Sequence, residues 1–143
     1  MRSWTPVVVL LVLVAAGCGS ESSSTDDSSP PTAVSTPVAE EQRFPDVVAA
    51  VATAGDVGWD FDVTVSSPYD TPERYADAWR VVGPDGTVFG VRELLHDHAS
   101  EQPFTRSLQG VAIPAGVDVV VVEGRDLANG WGGGTVELVL DRA

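Results

Sequence analysis

The sequence predicts an all-β fold, an antiparallel β-sandwich of about seven strands, in the part of the chain that follows residue 42. Two observations lead to this fold class. Apolar and polar residues alternate in several short segments, as in strands with one buried face and one solvated face. Clusters of glycine and proline separate these segments at the spacing typical of small sandwiches.

The clearest predicted strand is WDFDVTV, residues 59–65, in which four apolar residues alternate with two aspartates and a threonine. Successive side chains of a strand point to opposite faces, so this period of two buries one face. Further segments share the apolar and β-branched character expected of short strands. They span residues 79–82, 87–95, 104–109, 117–123 and 135–140, with a weaker segment at 47–53.

Turn signals separate these strands. Gly83-Pro84-Asp85-Gly86 supplies the residues that a tight hairpin needs and joins the third and fourth predicted strands. Residues 114–116, Pro-Ala-Gly, predict another turn. The segment NGWGGG, residues 129–134, predicts a glycine-rich loop before the last strand.

One short helical turn is predicted between Asp70 and Ala78. Asp70 or Thr71 can cap its first turn, because an aspartate or threonine side chain accepts hydrogen bonds from the first free N–H groups. Pro72 suits the first helical position. The turn would be a brief excursion between the second and third strands.

The first 17 residues have the layout of a secretory signal peptide. Residues 7–14 form an unbroken apolar run, and small residues follow at 15–17. The run is too short to cross the roughly 30 Å of a bilayer core as a stable helix. Simple cleavage after a small residue would leave a free thiol in a secreted protein, and this alternative stays open.

Ala15-Ala16-Gly17-Cys18 contains the chain's one cysteine and resembles the lipobox of bacterial lipoproteins, with Ala15 where leucine is more usual. The resemblance implies that Cys18 receives a diacylglyceryl group and becomes the new N-terminus, so that the protein is anchored in the membrane by fatty acyl chains such as palmitate. Two acyl chains anchor durably, at about 0.8 kcal/mol per buried methylene. The expected location is the extracytoplasmic face of the cell membrane.

Residues 18–42 predict a disordered tether. They are rich in serine, proline and acidic residues and poor in large apolar ones, so they cannot bury enough surface to order themselves. A flexible coil of this length reaches roughly 25–30 Å. The predicted organisation is therefore a signal peptide at 1–17, a tether at 18–42 and a sandwich domain at 43–143.

Two segments, SPYDTPERYADAWRVVGPDG and RELLHDHASEQPFTRSLQGVAIPAG, resemble a family of small secreted bacterial domains without an established activity. The resemblance covers about residues 59–140. It implies an immunoglobulin-like or fibronectin-type sandwich. No ligand or catalytic residue follows from it, because sandwiches carry many unrelated functions.

Composition excludes several functional classes. The chain has 21 acidic residues, eight arginines and no lysine, for a formal net charge of −13. Such a surface repels nucleic acid. Two histidines and the absence of a Gly-x-Ser-x-Gly elbow argue against a hydrolase, and no glycine pattern for a nucleotide cofactor is complete. We therefore expect no enzymatic activity.

His96-Asp97-His98 is the most pointed candidate site. If this segment were extended, His96 and His98 would project to one face and could share a zinc or copper(II) ion, with an acidic residue such as Glu101 as a further ligand. The alternative is structural, with the pair ordering the loop at residues 99–104. The aspartates at 60, 62 and 85 have no calcium-loop pattern and are expected to be solvated.

Aromatic residues offer a second candidate site. Trp59 and Trp79 fall at inward strand positions and are predicted to be core. Trp131, among glycines, and Tyr69, beside the predicted helical turn, could instead bind a carbohydrate or a peptide. The alternative for Trp131 is a ring folded back over the sandwich. The sequence thus predicts a lipid-anchored envelope protein that binds a partner protein or glycan and whose molecular role stays open.

Overall fold

Strand β2, Trp59–Ser66, shows why this sequence forms a sheet. In a computed structural model, which describes residues 40–143, its apolar side chains Trp59, Phe61, Val63 and Val65 are buried and the intervening residues are more exposed. The alternation predicted from WDFDVTV is confirmed. One face of β2 therefore belongs to the core, and the other faces solvent.

All seven predicted strands are present, in two antiparallel sheets. Their ends differ from the predicted ones by several residues in places. No helix occurs within residues 40–143, so this part of the chain contains none that could cross a membrane. The remaining strands are β1 (Asp46–Ala54), β3 (Ala76–Val82), β4 (Val88–Glu93), β5 (Phe104–Val111), β6 (Val119–Asp126) and β7 (Gly130–Val139).

One sheet has the strand order β1-β2-β5 and the other the order β4-β3-β6-β7. All neighbouring strands are antiparallel. In constant-type immunoglobulin domains the fourth strand belongs to the sheet that contains the first and second strands. Here β4 pairs with β3 in the second sheet, so β4 and β5 are edge strands of opposite sheets.

The core lies between the sheets. Trp79 on β3 is fully buried, and it belongs to one cluster with Phe61 and Val63 of β2 and Val120 and Val122 of β6. The core assignments of Trp59 and Trp79 are confirmed. A buried tryptophan on the third strand is also a feature of immunoglobulin domains, where it packs on a disulfide. Here it belongs to a cluster of aliphatic and aromatic side chains.

The predicted hairpin between β3 and β4 is confirmed. Gly83 N–H donates to the Thr87 carbonyl at 2.8 Å, and Gly86 N–H donates to the Gly83 carbonyl at 3.0 Å. Asp85 accepts from the N–H and the hydroxyl of Thr87. These hydrogen bonds lower the pKa of Asp85. The predicted turn at 114–116 is also present, closed by a bond from Val117 N–H to the Pro114 carbonyl.

The prediction of a helical turn between Asp70 and Ala78 is wrong. Thr71 and Arg74 exchange backbone hydrogen bonds of 2.8 and 3.1 Å, which makes a tight turn with Pro72 at its first corner. Proline at this position suits a β-turn as well as a helix start. Asp70 does not cap a helix, because its carboxylate accepts from the N–H groups of Ala76 and His98.

The prediction that residues 129–134 form a loop is also wrong, because strand β7 begins at Gly130. The glycines serve close packing against the chain that leads into β1. A Cβ atom on Gly132 would lie 2.7 Å from the Phe44 ring, and one on Gly133 would overlap the Pro45 carbonyl. Gly133 also has a φ of +90°, which other residues adopt at a cost.

Candidate functional site

One end of the sandwich collects the residues singled out in the sequence. Because the strands alternate in direction, the segment at 40–45, the loops at 67–75 and 94–103 and the turn at 127–129 all lie at the same end. We call it the junction end. Tyr69, His96, His98 and Glu101 lie in its loops, and Trp131 lies at the adjoining start of β7.

His98 is a structural centre of the 94–103 loop. Its side chain is buried, with 3% of its surface exposed, and it stacks on Phe104 at 3.9 Å between ring centroids. The backbone N–H of His98 donates to the Asp70 carboxylate at 3.0 Å. The backbone carbonyl of His98 accepts from the backbone N–H of Glu101 and from the side-chain amide of Gln102. Burial lowers the pKa of His98, and nearby Arg106 and His96 lower it further. The imidazole is therefore neutral at neutral pH.

The expectation that His96 and His98 share one face of an extended strand is wrong. Strand β4 ends at Glu93, and both histidines lie in the loop beyond it. His96 is exposed, its ring centroid is 4.6 Å from that of His98, and its Nδ1 is 2.8 Å from the Asp97 carbonyl oxygen. The fold thus keeps the rings together but places one in the interior and one in solvent.

Glu101, the candidate third metal ligand, pairs instead with Arg106 at 2.8 Å. This hydrogen bond lowers the pKa of Glu101. Within residues 40–143, no three histidine, cysteine or acidic side chains are arranged to hold a metal ion. The pair formed by Glu101 and Arg106 instead matches the structural alternative, in which the histidine loop is ordered.

Three side chains fasten the chain leading into β1, and sequence reasoning missed them. We call Arg74, Asp126 and Asn129 the junction clamp. Arg74 donates to Asp126 at 3.2 Å, to Glu41, and to the carbonyls of Gln42 and Arg43, each at 3.0 Å. Asn129 donates to the Arg43 carbonyl as well. The clamp therefore joins the end of the predicted tether to the turn between β6 and β7.

Asp126 is fully buried at the centre of this clamp. Burial alone would raise its pKa, but hydrogen bonds from the Asn129 backbone and side chain, with Tyr69 and Arg74 nearby, outweigh that effect and lower the pKa of Asp126. Asp126 also accepts from Ala128 N–H at 3.1 Å. The spacing Asp-x-x-Asn after an apolar strand was the available sequence signal, because an aspartate often caps the turn that follows it.

Tyr69 is part of the same structure rather than an open platform. The Arg74 guanidinium lies 4.3 Å above its ring centroid, and its hydroxyl is buried beside Asp126. Burial raises the pKa of Tyr69, and the Asp126 carboxylate raises it further. Tyr69 therefore stays protonated, and Arg74 covers one face of its ring.

Trp131 lies on a strand instead of a loop tip. Trp131 pairs with Arg125 of β6, and Arg125 in turn pairs with Ala78 of β3. This row of residues lies on the outer face of the four-stranded sheet. The guanidinium carbons of Arg80 and Arg125 lie 4.0 and 5.1 Å from its ring centroid. Arg125 is held by Asp77 at 2.8 Å. The indole is thus half-buried beneath arginines.

Trp131→Ala should lower the free energy of unfolding by about 1–2 kcal/mol, because it removes two cation–π contacts of roughly 0.5–1 kcal/mol each. Urea denaturation followed by circular dichroism measures the change. Trp131→Phe is the matched control, since it keeps a ring beneath the arginines and should lose less. Equal stability of the alanine variant and the native chain would contradict this role.

Comparison with known proteins identifies a relative in Halomicrobium mukohataei, described as "Putative lipoprotein". It is 41% identical over 87 residues, which cover 61% of this chain and 42% of the relative. The chain therefore spans less than half of that relative's length. No protein-family model matches the chain, and no solved structure matches it.

Proposed function

We propose that this protein is a lipoprotein, held by acyl chains on Cys18 at the extracytoplasmic face of the cell membrane, and that its sandwich is a binding module without catalytic activity. The observation that carries the proposal is the 41% identity to a relative described as a lipoprotein. Cys18, the signal peptide at 1–17 and most of the tether at 18–42 lie outside the described residues.

The sequence around Cys18 supports the anchor independently of the relative. Cys18 follows an apolar run and three small residues, and it is the one cysteine of the chain. A lipidated cysteine needs no disulfide partner, and a domain without disulfides must be stabilised by its core. The buried cluster between the two sheets supplies such a core within residues 40–143.

The junction clamp supports the predicted order of tether and domain. Gln42 donates to the Ser66 carbonyl at 3.3 Å, and Arg74 fixes the two carbonyls at 42 and 43. Tension on a membrane tether would therefore be transmitted through Arg74 to buried Asp126, which is the last residue of β6 in the four-stranded sheet. A fixed junction suits a domain that is presented to partners from a membrane.

Replacing Cys18 tests the anchor. We expect Cys18→Ser to abolish labelling by an alkyne analogue of palmitate, because serine offers no thiol to receive the diacylglyceryl group. The protein should also leave the detergent phase in Triton X-114 partitioning. Ser20→Ala, two residues away, is the matched control and should retain both properties. Undiminished labelling of Cys18→Ser would contradict the proposal, whichever fraction contains the protein.

A further inference from the structure

The edge strands β4 and β5 face each other across an open side of the sandwich. A Cβ atom on Gly90 of β4 would lie 3.0 Å from the Leu108 side chain of β5, so the inward faces of these strands touch there. The next inward position on β4 is Arg92, which pairs with buried Trp79. On β5, Arg106 occupies the inward position between Phe104 and Leu108. Two arginines thus occupy inner-face positions at neighbouring edges, with Arg106 half-buried and Arg92 exposed.

Between these arginines and the histidine loop lies a cavity of about 170 Å³, which we call the lateral crevice. Its volume corresponds to roughly five or six water molecules at about 30 Å³ each. The crevice can therefore take a small polyatomic ion. Its lining residues are Arg92, Glu93, Leu94, Leu95, His96, His98 and Arg106.

The charge of the lateral crevice differs from that of the whole chain. Acidic residues outnumber arginines 21 to 8 overall, yet the crevice lining holds two arginines, both histidines of the chain and one acidic residue. Arg92 makes no side-chain hydrogen bond or ion pair within residues 40–143. Its charge is therefore available to a ligand.

Arg106 and His98 are held in place before any ligand arrives. Arg106 is fixed by Glu101 at 2.8 Å and by its bond to the Thr105 carbonyl at 2.9 Å. The His98 ring is clamped on Phe104, and its Nδ1 is buried without a hydrogen-bond partner in the described part of the chain. A buried imidazole nitrogen without a partner is costly, and a bound water or ion is one explanation for such a group.

We infer that the lateral crevice binds a small oxyanion, such as phosphate, sulfate or a carboxylate, between Arg92 and Arg106 with the two imidazoles at its wall. Guanidinium groups suit this role because they donate in a planar fork that matches oxyanion geometry. The inference rests on the proposed role as a binding module but not on the lipid anchor.

Inward-pointing charges on edge strands also prevent two sheets from pairing edge to edge. That role would account for Arg92 and Arg106. It gives no reason for both histidines to line the same crevice. An anion site explains the four groups together.

Histidine side-chain NMR tests the inference directly, because the chain contains two imidazoles. The full chain is labelled with ¹⁵N-histidine in a zwitterionic detergent near neutral pH and titrated with sodium phosphate and, separately, sulfate. Sodium chloride of equal ionic strength is the reference. We expect saturable shifts of both imidazoles with at least one oxyanion and weaker, non-saturating shifts with chloride.

Substitutions locate the site. Arg92→Gln and Arg106→Gln should each weaken oxyanion binding about tenfold or more, the effect of losing one charge-assisted hydrogen bond. Arg142→Gln is the matched control, since Arg142 bonds to the Pro114 and Val117 carbonyls at the opposite end of the sandwich and should leave binding unchanged. Cys18→Ser should also bind normally, so failure of the anchor and failure of the crevice are distinguishable.

Three outcomes would overturn the inference. The first is the same shift with oxyanions and with chloride. The second is unchanged phosphate and sulfate binding in both Arg92→Gln and Arg106→Gln. The third is a shift produced by vesicles containing phosphatidylglycerol but by neither free anion, which would assign the crevice to a lipid headgroup.

Discussion

Asp126→Ala is expected to lower the free energy of unfolding by about 3 kcal/mol. Asp126 is fully buried and accepts hydrogen bonds from Arg74 at 3.2 Å and from the Asn129 backbone and side chain at 2.8 and 2.6 Å. Removing one partner of a buried ion pair costs about 3–5 kcal/mol. Arg74 keeps a quarter of its side chain exposed, which places the expected loss at the lower end.

The same residue predicts a dependence of stability on pH. The pKa of folded Asp126 lies below its usual value, so its contribution is complete above the unfolded pKa of about 3.9. The contribution is lost as the pH falls through the folded-state pKa. Urea denaturation at a series of acidic pH values should therefore show a shallower decline for Asp126→Ala than for the native chain.

Asp118→Ala is the control for this experiment. Asp118 pairs with Arg142 at 3.4 Å but keeps 69% of its side chain exposed, and exposed pairs contribute about 1 kcal/mol or less. A loss no larger in Asp126→Ala than in Asp118→Ala would contradict the structural role of the junction clamp.

Gly133→Ala is expected to cost about 3 kcal/mol as well. Its φ of +90° is strained for alanine, and strained backbone positions cost on the order of 1–3 kcal/mol. In addition, the new methyl group would overlap the Pro45 carbonyl and push the chain at Phe44 and Pro45 off β7. Chemical denaturation measures the loss.

Gly86→Ala separates the two causes. Gly86 has a similar φ of +83°, but a Cβ atom there would meet nothing within 4 Å. Gly86→Ala should therefore incur the cost of backbone strain alone and be less destabilised than Gly133→Ala. Equal losses in the two variants would show that the contact between Pro45 and β7 contributes nothing measurable.

The strands could be predicted because they follow from patterns of neighbouring residues. In β2 each residue's exposure follows from alternation, and the Gly83 to Gly86 turn needs no distant partner. The burial of Trp59 and Trp79 followed from the same pattern. Fold class and strand number therefore came from short windows of sequence.

Two of the wrong predictions depended on contacts distant in sequence. Gly132 and Gly133 indicated a loop from their local sequence, but they pack against Phe44 and Pro45, which lie about 88 residues earlier in the chain. Asp70 looked like a helix cap, but it binds the backbone of His98, 28 residues further on. The two histidines looked extended because β4 was predicted to continue to residue 95, whereas it ends at Glu93.

The candidate site shows the same limit. Sequence spacing suggested the histidine pair but gave no sign that Arg92 and Arg106, on strands of opposite sheets, would face the same crevice. Nor did it connect Arg74 with Asp126 across 52 residues. Pairings of this kind follow from sheet topology rather than from local composition.

Intact-mass and N-terminal analysis of the protein isolated from native membranes tests the central claim most directly. If the protein is lipid-anchored as proposed, its chain begins at Cys18 and carries the added mass of a diacylglyceryl group on the Cys18 thiol. A chain that retains residues 1–17, or one with an unmodified Cys18, would contradict it.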